Sequence, residues 1–141
     1  MTKNLKSFLF LTVFLSAFGG LSQTKSIGEQ RLLEVYGEKM TELESQNAEK
    51  FAFLKFSAEY GYKIVDKEAV KADIILPLDE VKMQGSFDQK GELNPKNLNP
   101  LLFNFNHNPS IRNYYSIADS GKILICLSFD EVNKLFEESK K

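Results

Sequence analysis

The sequence predicts an α+β fold: an N-terminal helical hairpin packed on a small antiparallel sheet, itself a C-terminal three-stranded meander, with a C-terminal helix. Three observations predict it. Apolar residues between positions 26 and 60 recur at helical spacing behind good capping residues. Short apolar or alternating runs between 101 and 127 are divided by Asn-Pro-Ser and Asp-Ser-Gly turns. Ser128 and Glu131 then form a capping box ahead of Val132, Leu135 and Phe136.

The first helix opens at Ser26-Ile27-Gly28-Glu29, where the serine hydroxyl can accept from the backbone three residues on and the glutamate can reach back. Leu33, Tyr36, Met40 and Leu43 follow at spacings of three and four and form one stripe. Gly37 inside that helix costs roughly 1 kcal/mol relative to alanine. Ser45-Gln46-Asn47 is a break, and Asn47 caps a second helix over Ala48 to Tyr60, stopped by Gly61. Phe51, Leu54 and Ala58 make its stripe, widened by Phe53, Phe56 and Tyr60.

Tyr62 to Asp66 reads as a short strand, Lys67 to Lys71 as one helical turn, and Asp73 to Leu76 as an apolar run ended by Pro77. Residues 82–100 shift to Gly, Asn, Pro, Lys and Gln, the composition of a flexible loop suited to partner contact. Leu101 to His107 alternates, with Leu101, Phe103, Phe105 and His107 on one side, and is expected to be the first meander strand. Asn113 to Ala118 is the second. Lys122 to Leu127 is the third, and its unbroken apolar run predicts burial on both faces. The closing helix runs from Ser128 through Leu135 to Glu138.

Residues 1–22 have the parts of a cleavable export signal. Lys3 and Lys6 give a positive start, Phe8 to Leu21 is apolar, and Gly20 and Ser22 are small residues at the −3 and −1 positions of a cut after Ser22. The apolar stretch is short for a membrane span, which needs about 20 residues. The expectation is a periplasmic or secreted single domain over 23–141, with no stable membrane insertion after cleavage. Removing residues 1–22, which carry two lysines and no acid, takes the formal net charge from −1 to −3. A mildly acidic chain with no basic run does not suit nucleic acid.

Cys126 is the single cysteine and His107 the single histidine, so an intrachain disulfide is excluded and a zinc site lacks ligands. Neither a phosphate-binding loop nor a dinucleotide-binding pattern is present, and the acids around Gly91 lack the alternation of a calcium loop. No cofactor or metal is expected. Cys126 and His107 are the one pair from which a cysteine hydrolase could be assembled. The Ile123-Leu124-Ile125-Cys126-Leu127 setting argues instead for an inert, packed thiol. Tyr60, Tyr62, Tyr114 and Tyr115 are the candidate binding residues, because tyrosine joins apolar area to a polar tip.

The leader ending in Leu-Ser-Gln, the helical hairpin, and the run Tyr114-Tyr115-Ser116-Ile117-Ala118-Asp119-Ser120-Gly121-Lys122-Ile123-Leu124-Ile125 resemble small exported proteins of Bacteroidota without a settled function. The resemblance implies a cell-envelope setting and transfers no active site or ligand. The sequence therefore points to a non-catalytic accessory that binds another envelope protein. The alternatives are the Cys126/His107 hydrolase and a carrier of a small apolar ligand.

Overall fold

Residues 24–85 and 93–141 are described by the computed structural model. The expected export signal over residues 1–22 and the 86–92 part of the polar loop lie outside the described residues. Ser26 caps the first helix, α1 (Ile27–Tyr36), by accepting from the Glu29 N–H at 3.2 Å. The Glu29 carboxylate leans back towards the Ser26 backbone, which helps to lower its pKa, without completing a capping box. It takes the Lys55 ammonium of the neighbouring helix, at 3.1 Å.

The stripe expected from Leu33 to Leu43 is interrupted. Gly37 adopts φ +54° and ψ −130°, a conformation that L side chains rarely adopt, and the chain restarts as α2 (Lys39–Gln46). The break changes the helical phase, so Leu33 and Tyr36 lie on the exposed side. The buried line of α1 is Gly28 and Leu32, with Val35 half-buried. Met40 and Leu43 still face inward, against a cluster of Leu32, Phe51 and Ala58.

Helix α3 (Ala48–Tyr60) begins where the Asn47 side chain accepts from the Lys50 N–H at 2.9 Å, and ends where the Gly61 N–H donates to the Ser57 carbonyl. It packs directly on α1. The two backbones come so close at Gly28 that a Cβ there would lie 2.6 Å from the Lys55 carbonyl oxygen. Arg31 fastens the same contact by donating from Nη1 to the Ala58 carbonyl at 2.7 Å.

Four strands follow: β1 (Tyr62–Asp66), β2 (Leu76–Pro77), β3 (Asn113–Ser116) and β4 (Lys122–Cys126), in the spatial order β1-β4-β3-β2. β4 pairs antiparallel with β1 on one side, Tyr62 opposite Cys126, and with β3 on the other, Tyr115 opposite Leu124. β2 adds a short parallel edge. The α+β arrangement of helices, sheet and C-terminal helix is thus as read from the sequence. The meander is not. Leu101–His107 forms no strand, and the place beside β3 that a meander would have given it is taken by β2, while β1 covers the other side of β4. The reason is local: Asn99 accepts from the Leu101 N–H at 3.1 Å and Pro100 starts a 3-10 turn, Pro100–Leu102. Beyond it, Phe103 makes one isolated bridge to Met83. The alternation reports burial of Phe103 and Phe105 against the sheet rather than pairing within it.

Side-chain alternation places Tyr62, Ile64, Leu124, Cys126 and Tyr115 on one face of the sheet. That face carries the main core, with Leu78, Leu102, Phe103 and Ile117. Ile123 and Ile125, on the other face, are buried too, so β4 is covered on both sides.

The final helix, α4 (Phe129–Ser139), has the complete capping box expected of Ser128 and Glu131. Glu131 also receives Arg112, whose Nε donates at 2.7 Å. Among the described residues no helix is long and apolar enough to cross a membrane.

Candidate functional site

Two series of aromatic rings converge at one end of the sheet. The first runs along the α3–α4 interface. Tyr60 meets Phe56 at 4.6 Å between ring centroids, Phe56 meets Phe136 at 5.3 Å, Phe136 meets Phe53 at 5.2 Å, and Phe53 meets Phe129 at 5.8 Å. The second lies over the core face: Phe103 on Phe105 at 5.8 Å, then Phe105 against both His107 at 5.2 Å and Tyr115 at 4.9 Å. Rings at these separations hold each other through dispersion and their quadrupoles, so both walls are fixed.

Between them is a cleft of about 210 Å³. Phe53 and Phe129 stand on one side, Phe105 and His107 on the other, with Tyr62 and Cys126 among the remaining lining. None of the described residues that line it carries a formal charge at neutral pH. The helices position it through their ends. Gly61 ends α3 and turns the chain straight into Tyr62 of β1, and the Leu127 N–H donates to the Gly61 carbonyl at 2.9 Å. Ser128 then starts α4 with Phe129 as its first residue.

His107 is one of the polar residues that line the cleft. Its Nδ1 lies 2.6 Å from the Tyr115 hydroxyl. The phenol has no other acceptor among the described residues, so it donates to Nδ1, and the neutral imidazole carries its proton on Nε2. Nε2 has no partner among the described residues. No partnerless side-chain nitrogen or oxygen there is fully buried, so Nε2 is open to solvent or ligand.

Burial lowers the His107 imidazole below its ordinary 6.5. An unfolded chain takes up this proton before the folded one does. The stability tied to His107 is therefore complete above pH 6.5 and is lost as pH falls from 6.5 towards the lower folded value. Glu131 is held at about 2, chiefly by its hydrogen bond from Arg112, and loses its contribution between pH 4.5 and about 2. Urea denaturation on a pH series should show these two declines. His107→Asn should abolish the upper one. Glu131→Gln should shrink the lower one, to which Glu29, lowered by Lys55, also contributes.

The two members of the possible dyad line the same cleft but do not form a nucleophile–base pair. No hydrogen bond joins Cys126 to His107, whose Nδ1 is occupied by Tyr115. Cys126 is 3% exposed, and burial pushes its thiol up to about 12, so it stays protonated at neutral pH. Thiol reagents should modify Cys126 of the native protein only at the rate of unfolding. Rapid modification without denaturant would restore the nucleophile reading. Among the described residues no group of three or more His, Cys, Asp or Glu is placed to hold a metal ion.

The four candidate tyrosines are not brought together. Tyr115 is 2% exposed and belongs to the core, where burial raises its hydroxyl to about 12. Tyr114 is half-buried on the opposite face of β3. Tyr62 lines the cleft, its phenol also raised to about 12 by burial. Tyr60 is 50% exposed at the outer end of the first ring series. Sequence reasoning missed Phe53, Phe105 and Phe129 as parts of a site. Phe129 did leave a signal: it is a large ring at the first position of a helix whose buried stripe begins three residues later, at Val132.

No family model, curated protein or solved structure matches the chain.

Proposed function

We propose that this chain is a non-catalytic binding module of the cell envelope, exported to the periplasm or beyond, which recognises another envelope protein through the aromatic rim of the α3–α4 cleft. The observation that carries the reading is Phe129, 58% exposed at the cleft mouth yet fixed edge-on against Phe53. Burying an exposed large ring on a rigid support releases hydration free energy at little entropic cost, which is how aromatic anchors work at interfaces. Tyr60 extends the same ring series to a second half-exposed end. The neutral thiol and the bound state of His107 favour binding over turnover. The compartment rests on the leader, whose cut after Ser22 would leave Gln23 first.

A photo-activatable residue placed at Phe129 in cells is the direct test. It should yield one dominant cross-linked envelope protein, while the same residue at Ile74, 72% exposed in the β1–β2 connection, should not. Equal cross-linking from both positions, or none from Phe129, would refute the proposal. N-terminal sequencing of the protein from fractionated cells tests the compartment separately: an intact Met1 in the cytosolic fraction refutes export.

A further inference from the structure

We infer that the cleft is itself a ligand site, which takes one small uncharged aromatic molecule bearing a hydrogen-bond acceptor, with His107 Nε2–H as the donor. This goes beyond recognition of a protein at the rim, and three observations carry it.

Size is the first. A cavity of about 150 Å³ is enough to hold a benzene ring, and this cleft offers about 210 Å³, room for a ring and a short substituent. A folded helix or a strand of a partner would not enter it.

The walls are the second. Phe53, Phe105, Phe129 and Tyr62 present ring faces and edges around the space. Their mutual contacts hold Phe53 to Phe129 at 5.8 Å and Phe105 to His107 at 5.2 Å, so the walls are ordered before a guest arrives. With no charged side chain among the described residues of the lining, an ionic guest would lose hydration and gain no counter-charge.

The donor is the third. Tyr115 occupies Nδ1 and thereby fixes the tautomer, leaving Nε2–H without a partner among the described residues. Burial keeps the ring neutral at pH 7, so it offers one directed donor rather than a cation. That selects a neutral oxygen acceptor, such as a phenol or a ketone, over a carboxylate. Tyr115 is here a positioning residue: it acts through His107 and is not reached by the guest.

Titration of the protein with p-cresol, toluene and benzoate, followed by the imidazole Nε2 resonance of the single histidine and by the shifts of Phe105 and Phe129, tests the assignment. p-Cresol should saturate those signals. Toluene, which has the ring without the oxygen, should bind at the same place about tenfold more weakly, the effect of one ordinary hydrogen bond. Benzoate should not compete. His107→Phe should remove the preference for p-cresol over toluene, and Phe129→Ala, at an exposed rim position, should weaken both alike while leaving the fold intact. Equal affinity for p-cresol and toluene overturns the donor role of His107. Absence of saturation with every probe, or shifts confined to the separate groove of Leu43, Phe51 and Leu54 between α2 and α3, overturns the site. Neither result touches the cross-linking at Phe129, so failure here is distinct from failure of the partner reading.

Discussion

Leu124→Ala is expected to lower the unfolding free energy by about 2–5 kcal/mol. Leu124 is fully buried at the middle of β4, opposite Ile64 of β1 and Tyr115 of β3, and packs among Leu78, Leu102, Phe103 and Ile117. Strands hold it on both flanks, so the surrounding structure cannot collapse into the space the side chain leaves. The loss is then the transfer term plus most of the cavity term. A typical domain has only about 5–15 kcal/mol in total, so a large share would go with this one residue. Urea denaturation should show a lower midpoint with an unchanged slope. Ile111→Ala, at an exposed position, should move stability by no more than about 0.5 kcal/mol and serves as the control. A loss at Leu124 as small as that control would mean that β4 is not the centre of the core.

Gly28→Ala should destabilise the protein by about 1–3 kcal/mol, against the usual direction for this exchange within a helix. Alanine in a helix normally gains up to about 1 kcal/mol over glycine. Here the added methyl would meet the Lys55 carbonyl oxygen at 2.6 Å and Glu59 Cβ at 3.0 Å. The first of these is backbone of a packed helix, which cannot swing aside. α1 must move away from α3, and that movement stretches the Arg31–Ala58 hydrogen bond and the Lys55–Glu29 ion pair together. Thermal unfolding and amide exchange across Ile27–Tyr36 would read the effect, with faster exchange confined to α1. A neutral or stabilised variant would show that the two helices have more freedom than their 2.6 Å approach implies.

The legible parts of the fold were those with local causes. Ser26, Asn47 and Ser128 each cap the helix that follows, because the hydrogen bond joins groups three residues apart. The apolar run of β4 announced burial on both faces. What could not be read locally was pairing at a distance. β1, β2 and Leu101–His107 were all short apolar segments in sequence, and nothing near them says which would join β3 and β4 in the sheet. Asn99-Pro100 held part of the answer, since that pair favours a turn over an extended entry. Gly37 looked like an ordinary cost inside a helix, and only its positive φ reveals a break. The cleft was harder still, because Phe53, Phe105, His107 and Phe129 come from α3, an irregular segment and α4. Convergence of that kind leaves no spacing pattern. The tyrosines stood out by residue type alone, and burial placed Tyr115 inside the core.

Order of assembly follows from the sheet. Among the described residues β1 pairs with β4 alone, and the ion pair at their end joins Asp66 to Lys122, 56 positions apart. The helices α1 to α3 can associate early from neighbouring sequence. The sheet cannot close until Lys122–Cys126 has been made, because this central member is the last of the described strands to arrive. Pairings of this range close slowly. A nascent chain halted before Lys122 would carry Tyr62–Asp66 as an unclaimed edge, open to pairing with another copy, so emergence of Lys122–Cys126 is the step that commits the molecule to its native form.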